Sequence, residues 1–254
     1  MTDSGSGPVA AFGSVSDVGR RRTENQDSWF GAKEQGIFLV ADGMGGMNAG
    51  GTASKAAAEI VPRMLSDRLK TLAVATEAAV EDAVRSSVAG FSAALYGQSQ
   101  TDHRLEGTGT TVVLALALGR SVYVANLGDS RAYLFKGVLR PLTEDHSLAA
   151  TLQRMGRLTP EQAALHPGRN TLTRYAGMKG AAEVDTRVIR LKGPCRLLLC
   201  TDGLFGMLGD ARIETVLTLV KDPAEACRRL VDAANEAGGF DNVTALVADL
   251  RHPG

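Results

Sequence analysis

Short apolar runs bounded by turn residues predict buried β-strands along this chain. The clearest is residues 37–41, which read Ile-Phe-Leu-Val-Ala and stop at Asp42-Gly43, a strong turn dipeptide. Four to eight apolar residues between turn signals are typical of a strand that is buried on both faces. Further runs of this kind occupy residues 111–118, 121–127, 131–135, 197–200 and 243–247.

The loops between three consecutive runs predict how those strands pair. Gly119-Arg120 separates the first two, as in a hairpin with a two-residue loop. Residues 131–135 then alternate polar and apolar side chains before Lys136-Gly137. We therefore expect the hairpin to continue as a meander.

Other segments have helical periodicity. Val80, Val84, Val88, Phe91 and Leu95 recur at the spacing of one helix face. Three more helices are predicted from their composition and end signals, at residues 49–70, 148–155 and 223–237. Within the first of these we expect Pro62 to kink or break the helix, because proline removes a backbone hydrogen bond.

The order of these elements favours an α+β sandwich. Strands precede two long helices, more strands follow, and a late helix precedes the last strand. A doubly wound parallel sheet would instead alternate strand and helix regularly. No linker, charge block or repeat divides the chain, so we expect one domain over residues 9–250. Gly and Ser at positions 4–7 favour a disordered N-terminus over residues 1–8.

Composition and charge exclude several classes of protein. Apolar residues make up 44% and charged residues 22%, which suits a globular core and not a disordered chain. The 28 basic and 28 acidic residues cancel, so the charge of a nucleic-acid or membrane binder is absent. No signal peptide or spanning segment is evident. The three cysteines lack the close spacing of metal ligands, and we expect reduced thiols in a cytoplasmic protein.

Five aspartates lie at or beside the ends of predicted strands, where an antiparallel sandwich can bring them to one rim. Two carboxylates about 4 Å apart repel by about 4 kcal/mol at an effective dielectric constant of about 20. Such a cluster needs a cation, and hard oxygen ligands without His or Cys favour Mg²⁺ or Mn²⁺ over zinc. Taken singly, an Asp-Gly dipeptide is also an ordinary turn. The five are Asp27, Asp42, Asp129, Asp202 and Asp241.

Other hydrolytic and nucleotide-binding chemistries lack their motifs. None of the cysteines precedes an arginine at the Cys-x5-Arg spacing of cysteine phosphatases, and no Asp-x-Asp pair of dehalogenase-type enzymes occurs. Neither the Gly-x-Ser-x-Gly elbow of serine hydrolases nor the Gly-Lys-Ser/Thr of a P-loop is present.

In order along the chain, six motifs resemble those of the PPM/PP2C family of metal-dependent Ser/Thr protein phosphatases, bacterial type. The resemblance covers about residues 9–250. The motifs are Arg22-Thr23-Glu24-Asn25-Gln26-Asp27, Asp42-Gly43-Met44-Gly45-Gly46, Gly107-Thr108-Gly109-Thr110-Thr111, Gly128-Asp129-Ser130-Arg131, Thr201-Asp202-Gly203-Leu204 and Asp241-Asn242-Val243-Thr244.

The resemblance implies a fold and a metal centre. The fold is a four-layer α-β-β-α sandwich, with two mainly antiparallel sheets flanked by helices and a small flap over about residues 146–177. Asp42 is expected to bridge two Mn²⁺ or Mg²⁺ ions, and the Gly43 carbonyl to bind one of them. Asp202 and Asp241 supply further ligands, and Asp27 acts on water held by the metals. Asp129, with Asp202, matches a possible third metal position.

The resemblance also assigns the substrate contacts and marks two departures. Arg22 is expected to bind the substrate phosphate, because its planar fork can hold two oxygens. Gln26 replaces an acidic residue common in relatives, and Met44 replaces a histidine proposed as general acid. The proton donor to the leaving group therefore stays unassigned. For His146, in the Glu-Asp-His-Ser segment, we expect a capping or packing role.

The implied function is hydrolysis of phosphoserine and phosphothreonine on proteins, by in-line attack of a water that bridges two metals. We expect a monomer that reverses a bacterial Ser/Thr kinase, with Asp42 and Arg22 as catalytic residues. Two alternatives are a non-catalytic phosphoprotein-binding or metal-sensing module on the same fold, and a structural interaction protein. The first would require the metal carboxylates to be lost, whereas Asp42, Asp202 and Asp241 are all present.

Overall fold

The computed structural model describes residues 8–45, 49–102 and 105–251. The predicted disorder of residues 1–8 lies outside the described residues apart from Pro8. The strands are β1 Val9–Asp17, β2 Asp27–Ala32, β3 Ile37–Met44, β4 Gly109–Thr110, β5 Val112–Leu118, β6 Ser121–Leu127, β7 Arg131–Phe135, β8 Leu139–Pro141, β9 Asp185–Arg190, β10 Cys195–Cys200 and β11 Val243–Leu250. The helices are α1 Ala49–Thr71, α2 Glu77–Ser99, α3 Leu148–Arg154, α4 Pro160–Leu165, α5 Asp202–Leu219 and α6 Pro223–Glu236.

The strands form two antiparallel sheets. Sheet I has the order β1-β11-β10-β7-β8, and sheet II has the order β2-β3-β5-β6-β9, with the short β4 beside β3. Strands β3, β5 and β10 carry almost continuous buried residues. They can be apolar on both faces because one face meets the other sheet and the opposite face meets helices.

Three hydrophobic clusters separate four layers. The central cluster lies between the sheets and includes Val40, Val113 and Leu199. Helices α1 and α2 pack on the outer face of sheet II, and α5 and α6 pack on the outer face of sheet I. The predicted α-β-β-α sandwich is therefore confirmed.

Several local predictions hold residue by residue. Leu118 and Ser121 pair across Gly119-Arg120, as the hairpin prediction requires. The stripe that begins at Val80 is the buried face of α2, and the helix is capped by Thr76, whose hydroxyl accepts from the Ala79 amide at 3.2 Å. The late helix begins at Pro223, as predicted.

The predicted meander is wrong. Strand β7 follows β6 along the chain, yet it lies in sheet I between β10 and β8 rather than beside β6. The chain crosses between the sheets at Gly128, whose φ of 121° is a conformation that side chains disfavour. A turn signal marks where a strand ends, but it does not determine which sheet the next strand joins.

Of the predicted kink or break at Pro62, the break is wrong. Helix α1 continues from Ala49 to Thr71 with Pro62 inside it. An interior proline costs about 3 kcal/mol. Val61 and Leu65 on either side are fully buried against sheet II, and this packing outweighs the lost hydrogen bond.

Helices α4 and α5 and strands β1, β2, β4, β8 and β9 were not predicted. Helix α5 contains three glycines in its first half, and at Gly209 the backbone is not helical, with a φ of 65°. Because glycine has a low helix propensity, the sequence pattern does not indicate this helix. The burial of Leu204 and Ile213 against sheet I compensates for that low propensity.

Between β8 and β9 lies the segment predicted as a flap. It contains α3, α4 and a 3-10 turn at Pro167–Asn170. Helix α3 begins one residue after its cap Ser147, whose hydroxyl accepts from the Ala150 amide at 3.2 Å. The predicted helix over residues 148–155 is thus confirmed to within one residue.

The three cysteines are buried free thiols, as expected. Burial raises the pKa of Cys195 to about 11 and that of Cys227 to about 12, which keeps both protonated. Among the described helices, none combines the length and apolarity needed to cross a membrane.

Replacement of Gly13 by alanine is expected to destabilise the fold. A Cβ atom there would lie 2.3 Å from the Cα of Ala224, so α6 would have to move away from β1. Overpacking of this kind costs about 1–3 kcal/mol. The free energy of unfolding from urea titration measures the loss.

Gly97→Ala is the matched control, because no atom lies within 4 Å of the added Cβ inside α2. It should stabilise the protein by up to about 1 kcal/mol. Equal effects of the two substitutions would contradict the packing of α6 on β1 described above.

Candidate metal centre

Asp27 begins β2, and it is held by two threonine hydroxyls. Thr201 and Thr244 donate to its Oδ2 atom at 2.8 and 2.7 Å. Its Oδ1 atom is buried without a hydrogen-bond partner. Burial raises the pKa of Asp27 to about 7, although both threonine hydrogen bonds oppose the shift.

Asp42 lies on β3 directly opposite Asp27 in the register of sheet II. Its backbone is fixed by Thr111, whose hydroxyl accepts from the Asp42 amide at 2.9 Å and whose amide donates to the Asp42 carbonyl at 2.8 Å. Burial, followed by the negative charges of four neighbouring aspartates, raises the pKa of Asp42 well above its ordinary value. This carboxylate is thus the centre of the acidic cluster.

Gly43 follows with no room for a side chain. A Cβ atom on Gly43 would lie 2.1 Å from the carbonyl oxygen of Gly50 in α1. The Gly43 amide donates to the Gln26 carbonyl at 3.1 Å. Glycine is therefore required for the backbone to pass between α1 and the loop before β2.

Two more aspartates lie where the chain leaves or enters a sheet. Asp129 occupies the crossing between β6 and β7, and burial raises its pKa to about 8. Asp202 is the first residue of α5, where the helix dipole favours a negative charge. Burial, and then the charge of Asp241, nevertheless raises the pKa of Asp202 to about 6.

Arg22 pairs with Asp241 beside this cluster. Its Nη2 atom donates to Oδ2 of Asp241 at 2.8 Å, and 56% of the arginine side chain stays exposed. This hydrogen bond raises the pKa of Arg22 further. The guanidinium is thus oriented by one carboxylate and still accessible to an anion. Arg21 instead lies over the Phe240 ring, 5.6 Å from its centre.

These residues surround one cavity of about 290 Å³. All the predicted site residues except Asp27 line it, and Asp27 lies on a neighbouring surface pocket. Asn170 and Leu172 of the predicted flap also contribute to its wall. The lining residues are Arg22, Gln26, Asp42, Gly43, Met44, Gly45, Thr111, Asp129, Asn170, Leu172, Asp202, Asp241 and Asn242.

The cavity suits a hard cation with open coordination. An oxygen of Asp202 is buried without a hydrogen-bond partner, and several carboxylates there have raised pKa values that a cation would lower. Among the described residues, no three acidic, His or Cys side chains lie close enough together to hold a metal ion by themselves, so water or substrate oxygens would have to complete the coordination. Oxygen donors that leave room for water are the environment in which Mg²⁺ and Mn²⁺ bind.

Asn242 is a positioning residue that sequence reasoning did not single out. Its Oδ1 atom accepts from the Gln26 amide at 2.9 Å. Its Nδ2 atom donates to the carbonyls of Val18 and Glu24 at 3.0 and 2.8 Å. These bonds hold the loop that carries Arg22 against β11. Asn242 lies inside one of the recognised motifs, and that position is the signal that could have identified it.

His146 has the packing role that was expected. It is fully buried, its Nδ1 atom accepts from the Gly128 amide at 3.1 Å, and its Nε2 atom lies 3.0 Å from Oδ2 of Asp185. It does not line the cavity.

Comparison with known proteins gives concordant matches. The sequence model of protein phosphatase 2C matches residues 19–242. The serine/threonine phosphatase stp of Listeria monocytogenes serovar 1/2a is 41% identical over 240 residues, covering 92% of this chain and 93% of the relative. The crystal structure of serine/threonine phosphatase Stp1 from Staphylococcus aureus has a TM-score of 0.85 at 31% identity, covering 98% of this chain and 97% of that one.

One similar structure contains metal. The catalytic domain of the serine/threonine protein phosphatase PstP was solved in complex with two manganese ions. It has a TM-score of 0.76 at 32% identity, and the match covers 95% of this chain and 98% of that one.

Asp42→Asn is expected to stabilise the metal-free protein. The folded state raises the pKa of the clustered aspartates above their unfolded values, so it binds more protons than the unfolded state. The free energy of unfolding should therefore fall as the pH rises from about 4 to about 8. Removal of one charge should raise it by about 1 kcal/mol or more at pH 8, and by less at pH 5.

Urea unfolding in EDTA at the two pH values measures this effect. Asp67→Asn, at a side chain that is 75% exposed on α1, is the control and should change stability by less than about 0.5 kcal/mol. A loss of stability in Asp42→Asn at pH 8 would show that the carboxylates do not repel one another in the folded state.

Proposed function

The chain belongs to the protein phosphatase 2C family and is a serine/threonine protein phosphatase, and we propose how its residues perform the hydrolysis. The observation that carries the proposal is one cavity whose wall holds both carboxylate oxygens and an accessible arginine. Hydrolysis of a phosphate monoester is among the slowest uncatalysed reactions. It requires an activated water and neutralised phosphoryl oxygens, and these two needs match the two kinds of group in the cavity wall.

Metal ions would provide the activated water. When bound, two Mn²⁺ or Mg²⁺ ions, with a third beside them, supply a water of lowered pKa and positive charge for the phosphoryl oxygens. Asp42 would hold both core ions, with the Gly43 carbonyl on one of them. Asp202 and Asp241 would complete the core site, and Asp129 with Asp202 would hold the third ion. The buried carboxylates, with pKa values raised by burial and mutual repulsion, support this assignment.

Asp27 and Arg22 would act on the reacting groups from two sides. Asp27 lies across from Asp42 but outside the cavity lining, and its buried, unpartnered Oδ1 atom would accept a hydrogen bond from a water held by the metals. Arg22 would hold two phosphoryl oxygens in the fork of its guanidinium, because Asp241 already orients that group. Met44 has no titratable proton, so it is not the acid that protonates the leaving group.

The substrates are phosphorylated proteins, and the finer assignment is part of the proposal. The enzyme would act as a monomer on proteins phosphorylated by a bacterial Ser/Thr kinase. Three buried free cysteines support a reducing compartment, and the proposed place of action is the cytoplasm.

Metal removal tests the mechanism directly. EDTA should abolish hydrolysis of an aryl phosphate and of a phosphothreonine peptide, and added Mn²⁺ or Mg²⁺ should restore it. Asp42→Ala and Asp202→Ala should each lower kcat by at least about 100-fold at saturating metal, because the ligands act as a unit. Activity that survives thorough chelation would overturn the metal mechanism. Absence of activity with tight phosphopeptide binding would favour the non-catalytic module.

Arg22→Ala is expected to lower kcat/KM by about 10- to 100-fold, because a charge-assisted hydrogen bond contributes about 1.5–3 kcal/mol. Inorganic phosphate should inhibit the variant more weakly by a similar factor. Arg20→Ala is the matched control, since Arg20 is a neighbouring exposed arginine outside the cavity lining. Similar losses in both variants would indicate a general effect of surface charge and no phosphate contact at Arg22.

A further inference from the structure

His146 joins the crossing between the sheets to both ends of the predicted flap. Its amide donates to the Gly128 carbonyl at 3.0 Å, and the Gly128 amide donates back to its Nδ1 atom at 3.1 Å. Its own carbonyl accepts from the amide and the hydroxyl of Thr173, at 2.8 and 3.1 Å. One fully buried residue thus holds Gly128, which immediately precedes Asp129, through its backbone amide and its side chain.

The hydrogen bonds determine the form of the imidazole. Because Nδ1 accepts a hydrogen bond from the Gly128 amide, the ring proton lies on Nε2, which donates a hydrogen bond to Oδ2 of Asp185 at 3.0 Å. Arg174 holds Asp185 through both carboxylate oxygens, at 2.8 and 3.2 Å. Burial lowers the pKa of His146, which agrees with a neutral ring. The ring is therefore locked in orientation as well as in tautomer.

The turn at Gly128 is also restrained by contacts that do not involve His146. Gly128 has a φ of 121°, and a Cβ atom there would lie 2.6 Å from the side chain of Thr111. On the far side of Asp129, the Ser130 hydroxyl lies 2.6 Å from Oγ1 of Thr111, which also accepts from the Asp42 amide. The two residues that flank Asp129 are thus tied to Asp42 on one side and to His146 on the other.

We propose that His146 is a positioning residue that sets where the Asp129 carboxylate lies in the cavity, through its hydrogen bond to the Gly128 amide. The inference rests on the proposed metal role of Asp129. Residues that orient a metal ligand from behind typically contribute 10- to 100-fold to metal affinity. His146 lies outside the cavity lining, so its proposed effect on Asp129 passes through the turn at Gly128.

Two substitutions separate this role from simple packing. His146→Asn places an amide oxygen near the position of Nδ1, so it keeps the acceptor for Gly128 and loses the donor to Asp185. His146→Gln reaches the position of Nε2, so it keeps the donor and loses the acceptor. Both variants bury a polar amide in the same site, and their melting temperatures should fall to a similar extent.

Mn²⁺ binding by isothermal titration calorimetry is the readout. We expect His146→Gln to raise the Kd of the most weakly bound ion about 10-fold or more, and His146→Asn to raise it by less than about threefold. In an Asp129→Asn background, His146→Gln should add no more than about a twofold change, since the ligand it positions is gone. Asp185→Ala changes a half-exposed side chain and removes the partner of the His146 Nε2 atom. The imidazole is then less firmly oriented, and the same Kd should rise by about threefold.

Equal effects of the Asn and Gln variants, or an unchanged loss in the Asp129→Asn background, would overturn the positioning role. If His146→Gln does not fold, an unchanged Mn²⁺ Kd in Asp185→Ala overturns it instead. If Asp129→Asn alone leaves Mn²⁺ binding intact, the metal role of Asp129 fails and the inference fails with it. The phosphatase mechanism itself is tested separately, by Asp42→Ala and chelation.

Discussion

Mutual repulsion among buried carboxylates is the constraint on which the rest of this structure depends. Asp42 is surrounded by four other aspartates, and each of their charges raises its pKa further. Such a cluster persists only where the backbone cannot relax, because any mobile carboxylate would move out to water. Four members accordingly lie on a strand, at a helix start or in the turn between the sheets, and Asp241 lies in the short loop that enters β11. The fold therefore holds the aspartate carboxylates close together despite their repulsion, and a bound cation would reduce that repulsion.

The backbone is held in place by small polar side chains. Thr201 and Thr244 bind Asp27, Thr111 binds both sides of Asp42, and Asn242 fixes the loop that carries Arg22. Each of these residues is short, buried and able to bond to fixed groups, so little side-chain entropy is lost. A longer residue would fill the space that ions and phosphate need. Short hydroxyl and amide side chains are consistent with a site that must be rigid and open at once.

The sequence predicted the parts of this arrangement that depend on local pattern. Strands with continuous apolar runs were recognised, whereas β9 was missed because its residues are only partly buried. Helix α5 was missed because its glycines have low helix propensity, which tertiary packing overrides. Motif matching identified the four aspartates and the arginine that line the cavity. The sheet to which β7 belongs and the position of Asp27 outside the lining depend on long-range packing, and no local signal encodes them.

The equal numbers of acidic and basic residues conceal an asymmetry at this cavity. Four aspartates face one arginine on its wall, so without cations the cavity would repel a phosphate group. Asp241 already pairs with Arg22, which reduces the positive charge available to a substrate. In the proposed site, bound cations would offset the negative charge of the wall, and they would also compete with Arg22 for Asp241. The electrostatics therefore couple phosphate binding to metal binding, so that metal dependence belongs to substrate recognition as well as to the chemical step.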